Sequence, residues 1–254
     1  MNIVVCAKQV VDVSEIKIDK ATNKPILAGI PQKISDIDKN AMEEALQIKE
    51  KHGGKITVVT VGPADAKEKI KELLAMGADE GILIPMPEVF DYYVVSKILA
   101  GALEKIKDYD IILCGEASID LFSGQMGPRI AGLLKIPQIT YAQSTTVEKD
   151  KIISEKNLGD KSVSMESPYP VVVTVTKEIN EPRLPSLMEI LAAANKPIHE
   201  WSLADIGGDN LKPALSTVDI TGVSMERKNV IYQDDIDESV GKLVDNLLKE
   251  GVLR

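Results

Sequence analysis

The residues best placed to do chemistry fall in one run, Cys114-Gly115-Glu116-Ala117-Ser118-Ile119-Asp120-Leu121-Phe122-Ser123-Gly124-Gln125-Met126-Gly127-Pro128. It leaves a strand-like apolar segment and enters a helix-like one. Gly115 lets the chain turn off the strand, and Ser123-Gly124-Gln125 falls at the helix start. Free backbone N–H groups and the helix dipole attract an anion there. Gly124 has no side chain to block close approach, and Ser123 offers a hydroxyl. A phosphate or pyrophosphate fits these features, and so does an ordinary capped helix after a glycine-containing loop. The spacing is neither G-x-G-x-x-G nor G-x-x-x-x-G-K-S/T, so neither standard phosphate loop applies. Ser35-Asp36-Ile37-Asp38 is a second candidate. Acids ahead of a helix can bind a ribose hydroxyl, or simply cap the helix and favour its dipole. Lys8, just past the first apolar run, can face a phosphate or solvent, and solvent is the expectation.

Other chemistries lack residues. Cys6 and Cys114 are the only cysteines, and both sit in apolar runs, which reads as buried strand thiols rather than a disulfide. His52 and His199 are the only histidines. A zinc site of His and Cys has almost nothing to work with, and neither histidine sits in a Ser-His-Asp pattern.

The elements that must position these residues alternate. Residues 3–6 read as a strand. Ser35 or Asp36 opens a helix with Ala41, Met42, Ala45, Leu46 and Ile48 on one face, stopped by Gly53-Gly54. Strands follow at 56–61, 81–84, 110–114 and 138–141, with helices between them after Gly62-Pro63, at Asp91 and over 125–134. This alternation predicts an α/β, Rossmann-like doubly wound sheet, mainly parallel and covered on both faces. Ligands bind such sheets beyond the carboxyl ends of the strands. After Tyr141 the pattern changes. Residues 152–155 and 162–166 flank a turn and predict an antiparallel hairpin added to the sheet. Residues 171–175 predict a buried strand. Asn180-Glu181-Pro182-Arg183-Leu184-Pro185 is extended because of its prolines, and a helix follows over 186–194. Residues 197–235 show no periodic pattern and read as an arm. Ile236, Val240, Leu243, Val244, Leu247 and Leu248 then form one helical stripe, which must fold back or pack on a second chain, with folding back the default expectation. The division is a nucleotide-binding unit over 1–195 and an arm plus helix over 196–254.

With 254 residues the chain can bury a substantial core without disulfides or metals. A net charge of −9 argues against nucleic acid and against an anionic membrane surface. Aromatic residues are only 4% of the chain, so a surface that stacks bases on rings is not expected. No apolar run is long enough to span a membrane, and no basic leader precedes the first strand, so the expectation is a cytoplasmic protein.

The whole pattern resembles the beta subunit of electron-transfer flavoproteins, from residue 1 to about 198. The resemblance is carried by Val5-Cys6-Ala7-Lys8-Gln9-Val10, Ala41-Met42-Glu43-Glu44-Ala45, Gly62-Pro63-Ala64, Ala75-Met76-Gly77-Ala78-Asp79, the 115–128 loop, Pro170-Val171-Val172-Val173-Thr174-Val175, and Asn180-Glu181-Pro182-Arg183-Leu184-Pro185-Ser186-Leu187. It implies a heterodimer with an alpha subunit, whose mobile domain carries the redox-active flavin. It also implies an adenine nucleotide on this chain: AMP in simple carriers, or a second FAD reduced by NADH in electron-bifurcating relatives. The implied contacts are Cys6, Ala7, Ser35, Asp36, Ile37, Asp38, Val61, Gly115, Ser118, Ile119, Asp120, Leu121, Phe122, Ser123, Gly124 and Gln125. Arg183, Leu184 and Leu187 are implied to dock the partner dehydrogenase, with Leu187 the anchor; a core position on the following helix is the plainer reading of Leu187.

Three positions depart from the pattern the resemblance implies: Asn157, beside Lys156, stands where carrier-type members have an acid that steers the flavin domain, Val13 where some members have a tyrosine near the alpha-subunit flavin, and Glu116 where many members have a base. The nucleotide loop is also the short form that resembles bifurcating members, so FAD is preferred to AMP. That form would oxidise NADH, sending one electron to ferredoxin or flavodoxin and the other towards an acyl-CoA or hydroxyacid dehydrogenase. The alternatives are an AMP-binding carrier between acyl-CoA-type dehydrogenases and a quinone reductase, and a stand-alone, universal-stress-like adenine-nucleotide sensor.

Overall fold

The computed structural model describes residues 1–222 and 228–253. β1 (Asn2–Cys6) is followed by two short antiparallel ribbons, β2 (Gln9–Val11) with β5 (Gln32–Ile34) and β3 (Lys17–Ile18) with β4 (Pro25–Ile26). Then α1 (Asp36–His52), β6 (Lys55–Gly62), α2 (Ala66–Met76), β7 (Glu80–Pro85), α3 (Tyr92–Ile106), β8 (Ile111–Gly115), α4 (Met126–Leu134) and β9 (Gln138–Ala142) alternate. β10 (Ser144–Val147), β11 (Lys151–Asn157) and β12 (Ser162–Pro168) form an antiparallel sheet of their own. β13 (Val171–Val175), α5 (Leu187–Ala193), β14 (Ile198–Glu200) and α6 (Ile236–Lys249) complete the order.

The central sheet has seven strands in the order β14-β7-β6-β1-β8-β13-β9, and every pair is parallel. Its central strands β1, β8 and β13 are almost wholly apolar because both faces are covered, whereas the edge strands β9 and β14 carry polar, exposed residues. Ile3, Val5, Ile56, Val58, Ile111 and Leu113 pack with α1, α2 and the antiparallel sheet. Val4, Val59, Ile82, Ile84 and Ile112 pack with α3 and α4. These helix boundaries fall where expected: Gly53 ends α1, Gly77 ends α2, and the Asp91 side chain opens α3 by accepting the Val94 N–H.

Three features differ from the sequence reading. The hairpin does not extend the parallel sheet; it pairs with Ser144–Val147, a polar β-branched run, and packs through Ile152 onto the core. The stretch after Pro197 is not wholly irregular, because β14 adds a parallel edge strand beside β7. The arm then packs Trp201, Leu203, Ile206 and Leu211 on the α3 side of the core and is tied further along by hydrogen bonds. Asp91 accepts the N–H groups of Ala214 and Leu215, and Asn23 exchanges bonds with Gly222. α6 does not fold back onto the core. No α6 residue is buried, and Ile236, Val240, Leu243, Val244 and Leu248 remain exposed. Among the described residues no helix is long and apolar enough to cross a membrane.

Candidate functional site

The strand order reverses at β1. The chain moves from β1 to β6 and β7 on one side, then returns to β8 on the other. The segment after β1 leads to α1 on one face, and the segment after β8 leads to α4 on the opposite face. The two exits diverge, and open α/β sheets bind ligands in the crevice at such a reversal of strand order.

Cys6 ends β1, Ala7 follows it, and both are buried. Cys6 lies in register with Cys114 of β8, and both are free thiols. Hydrogen bonding to Cys6, then burial, pushes the Cys114 thiol well above its ordinary pKa, which makes it inert packing. Gly115 is required by close approach: a Cβ there would lie 2.6 Å from Asp38 Oδ1 and 3.2 Å from the Ile37 carbonyl carbon. Asp38 is buried between the two exits. Its Oδ2 accepts the Lys8 N–H at 2.8 Å and its Oδ1 the Gly115 N–H at 3.2 Å. Burial raises its pKa to about 7 against the lowering effect of those two bonds. Asp38 thus ties the strand exits together. Ile37 beside it is buried, while Asp36 is half-buried on Lys33 at 3.1 Å. Val61 lies near the end of β6, the other neighbour of β1.

Two local expectations change. Ser35 occupies the position before α1 but does not cap it; its hydroxyl accepts the Ile119 N–H of the loop at 3.3 Å. Lys8 does not face solvent alone, since its ammonium lies 2.7 Å from Asp120 and 3.5 Å from Ser118 Oγ. The loop therefore closes over the β1 exit. Phe122 and Gly124 both adopt left-handed φ, 47° and 64°. Leu121 and Phe122 are exposed, Ser123 and Gly124 half-buried, and Gln125 immediately precedes α4 and binds Arg129 at 3.0 Å. A Cβ at Gly127 would fall 2.2 Å from Thr174 Cγ2, so this glycine lets the first turn of α4 rest on β13. The Glu116 carboxyl beside the loop is raised by burial and by Glu178, which weakens its opposition to an anion. Tyr141 and Thr176, at the ends of β9 and β13, also border this loop. Nothing in their sequence context marks them, because the strand order that brings them there is not sequential.

The two most distinctive sequence motifs meet away from the crevice. Asn40 and Asn180 exchange amide bonds, Asn40 Nδ2 to Asn180 O at 2.8 Å and Asn180 Nδ2 to Asn40 O at 3.1 Å. Arg183 donates its Nε and Nη2 to Glu43 at 2.8 and 2.9 Å, and also binds Glu50. Burial raises the Glu43 pKa, but the Arg183 bonds outweigh it and hold the carboxyl below its ordinary value. Arg183 thus turns inward onto α1. Leu184 and Leu187 turn outward, 93% and 71% exposed, at the start of a helix that buries only Ala193. Ser186 and Glu189 close that helix start with reciprocal bonds. Leu187 is therefore not a core position. Asn157 ends β11 at the exposed hairpin tip, where its side chain accepts the Gly159 N–H.

The pattern of the electron transfer flavoprotein domain matches residues 26–206. Over 262 residues the chain is 41% identical to the electron transfer flavoprotein subunit beta of Thermoanaerobacterium thermosaccharolyticum, with both chains fully covered. The chain belongs to the electron-transfer flavoprotein beta-subunit family. The Clostridium acetobutylicum beta subunit is 37% identical, covering 98% of this chain and 94% of that one. The caffeyl-CoA reductase-Etf complex subunit CarD of Acetobacterium woodii is 35% identical over the whole of both chains. Family membership carries an electron-transfer role and an alpha-subunit partner.

Proposed function

We propose that this chain holds FAD in the crevice between the carboxyl ends of β1 and β8. There it carries electrons between NADH or a dehydrogenase and the flavin of the alpha subunit. The observation that carries this reading is the position of the 115–128 loop at the reversal of strand order. The residues suit a nucleotide. The first turn of α4 offers backbone N–H groups, Gly124 adds no Cβ, and Ser118 and Ser123 add hydroxyls. Exposed Leu121 and Phe122 offer apolar surface to a ring. At the same end of the sheet, buried Thr60 Oγ1 and Gln9 Oε1 have no hydrogen-bond partner among the described residues, as expected where a ligand supplies one. FAD, when bound, supplies the redox chemistry; the protein supplies binding, orientation and surroundings.

Leu184 and Leu187 are the proposed contacts for a dehydrogenase, and the name of the CarD relative supports one acting on CoA thioesters. The short loop supports the electron-bifurcating form, with ferredoxin or flavodoxin as one-electron acceptor. The test is to express the chain with its alpha subunit, purify the heterodimer and count nucleotides. Two FAD per heterodimer are expected. One FAD plus AMP would make the protein a simple carrier using the same crevice. A heterodimer with no nucleotide beyond the alpha-subunit flavin would refute the site.

A further inference from the structure

We propose that Tyr141 is a phosphate-binding residue of the crevice, donating its hydroxyl to the anionic group of an adenine nucleotide at the start of α4. The proposal rests on the nucleotide reading above and adds a side chain to it. The first observation is a slip in strand pairing. Val173 of β13 lies opposite Ile139 of β9, but Val175 lies opposite Ala142. β9 therefore advances three residues where β13 advances two, a bulge at Thr140 and Tyr141. Bulges re-aim side chains and recur beside functional sites. Tyr141 takes a left-handed φ of 60°, a conformation a bulky residue adopts only when its surroundings hold it there.

The holding group is Thr174. Its Oγ1 accepts the Tyr141 N–H at 3.0 Å, and its methyl is the surface on which Gly127 rests. One threonine thus fixes both the bulge and the first turn of α4. The Tyr141 ring reaches from the bulge to the loop: its hydroxyl lies 3.2 Å from where a Cβ on Gly124 would stand. The side chain is 48% exposed, so a ligand can reach it.

The test uses the heterodimer, depleted of exchangeable nucleotide, with AMP and adenosine as probes. Calorimetry of Y141F should show AMP weakened about tenfold or more, the scale of a hydrogen bond to a charged group. Adenosine, measured in competition, should be unchanged. The phosphorus resonance of bound AMP should also move. AMP affinity within twofold of wild type, or equal weakening of AMP and adenosine, would overturn the assignment. G124D separates the two readings, because its bulk and charge block the crevice whatever Tyr141 does. If G124D binds AMP like wild type, the crevice itself is wrong and Tyr141 falls with it. If G124D loses AMP while Y141F does not, Tyr141 alone is wrong.

Discussion

Replacing Arg183 with Met removes the guanidinium from Glu43, whose side chain is only 5% exposed. The carboxylate keeps the Gln47 amide at 3.2 Å and the backbone N–H of residue 183 at 3.1 Å, but loses its counter-charge. Breaking a fully buried pair by removing one partner costs about 3–5 kcal/mol. Arg183 is 38% exposed, so water screens part of this, and about 2–3 kcal/mol is the expected loss. For a chain of this size that lowers the thermal midpoint by roughly 5–10 °C. The double variant R183M/E43Q removes the orphaned charge as well and should recover more than half of the loss. The deficit of R183M should also depend on pH. Without Arg183, burial leaves the folded Glu43 pKa above its unfolded value. That contribution is fully present below the unfolded pKa and is lost as pH rises through the folded one. The R183M deficit should therefore be largest near neutrality and shrink as pH falls towards about 4.5. Thermal unfolding of the heterodimer at several pH values measures all of this. A midpoint shift under 1 °C for R183M, or a double variant no more stable than R183M, would refute the reasoning.

The same geometry separates Arg183 from its neighbours. Leu187→Ala should leave the unfolding midpoint within about 1 °C, since the side chain is exposed. It should raise several-fold the dehydrogenase concentration that half-saturates electron transfer; unchanged half-saturation would exclude Leu187 from docking. Asp38 gives a second pH signature. Its folded pKa of about 7 is above the unfolded value, so its contribution is full below about 4 and is lost as pH rises through 7. Relative to D38N, wild type should lose on the order of 2 kcal/mol between pH 5 and 7, and parallel stability profiles of the two proteins would refute the burial argument.

Much of the architecture was legible in the sequence because local patterns dictate it. Continuous apolar runs such as Ile56-Thr57-Val58-Val59-Thr60-Val61 can only be strands covered on both faces, and glycines after α1 and α2 end those helices by chemistry that needs no tertiary contact. The 115–128 loop was found because a glycine turn feeding a helix start is a local feature. The hairpin was visible, but its pairing with Ser144–Val147 was not, since a short polar edge strand has too weak an alternation to stand out. β14 was missed for the same reason: three residues carry no period.

What the sequence by itself determined is therefore the alternation of strands and helices, the loop that leaves β8, and the extended N-E-P-R segment. Each follows from side-chain period, glycine and proline acting on their own backbone. Only the tertiary structure decided the roles of individual polar groups. Ser35 looks like a helix cap and instead binds the loop; Lys8 looks solvated and instead meets Asp120; Arg183, which the resemblance implies docks a dehydrogenase, is held on Glu43 and Glu50. Tyr141 reaches the loop because β13 lies between β8 and β9 and the β13–β9 pairing carries a bulge. The physical reason is common to all four. A polar side chain takes the partner that burial leaves within reach, and the order in which distant strands pair decides which partner that is.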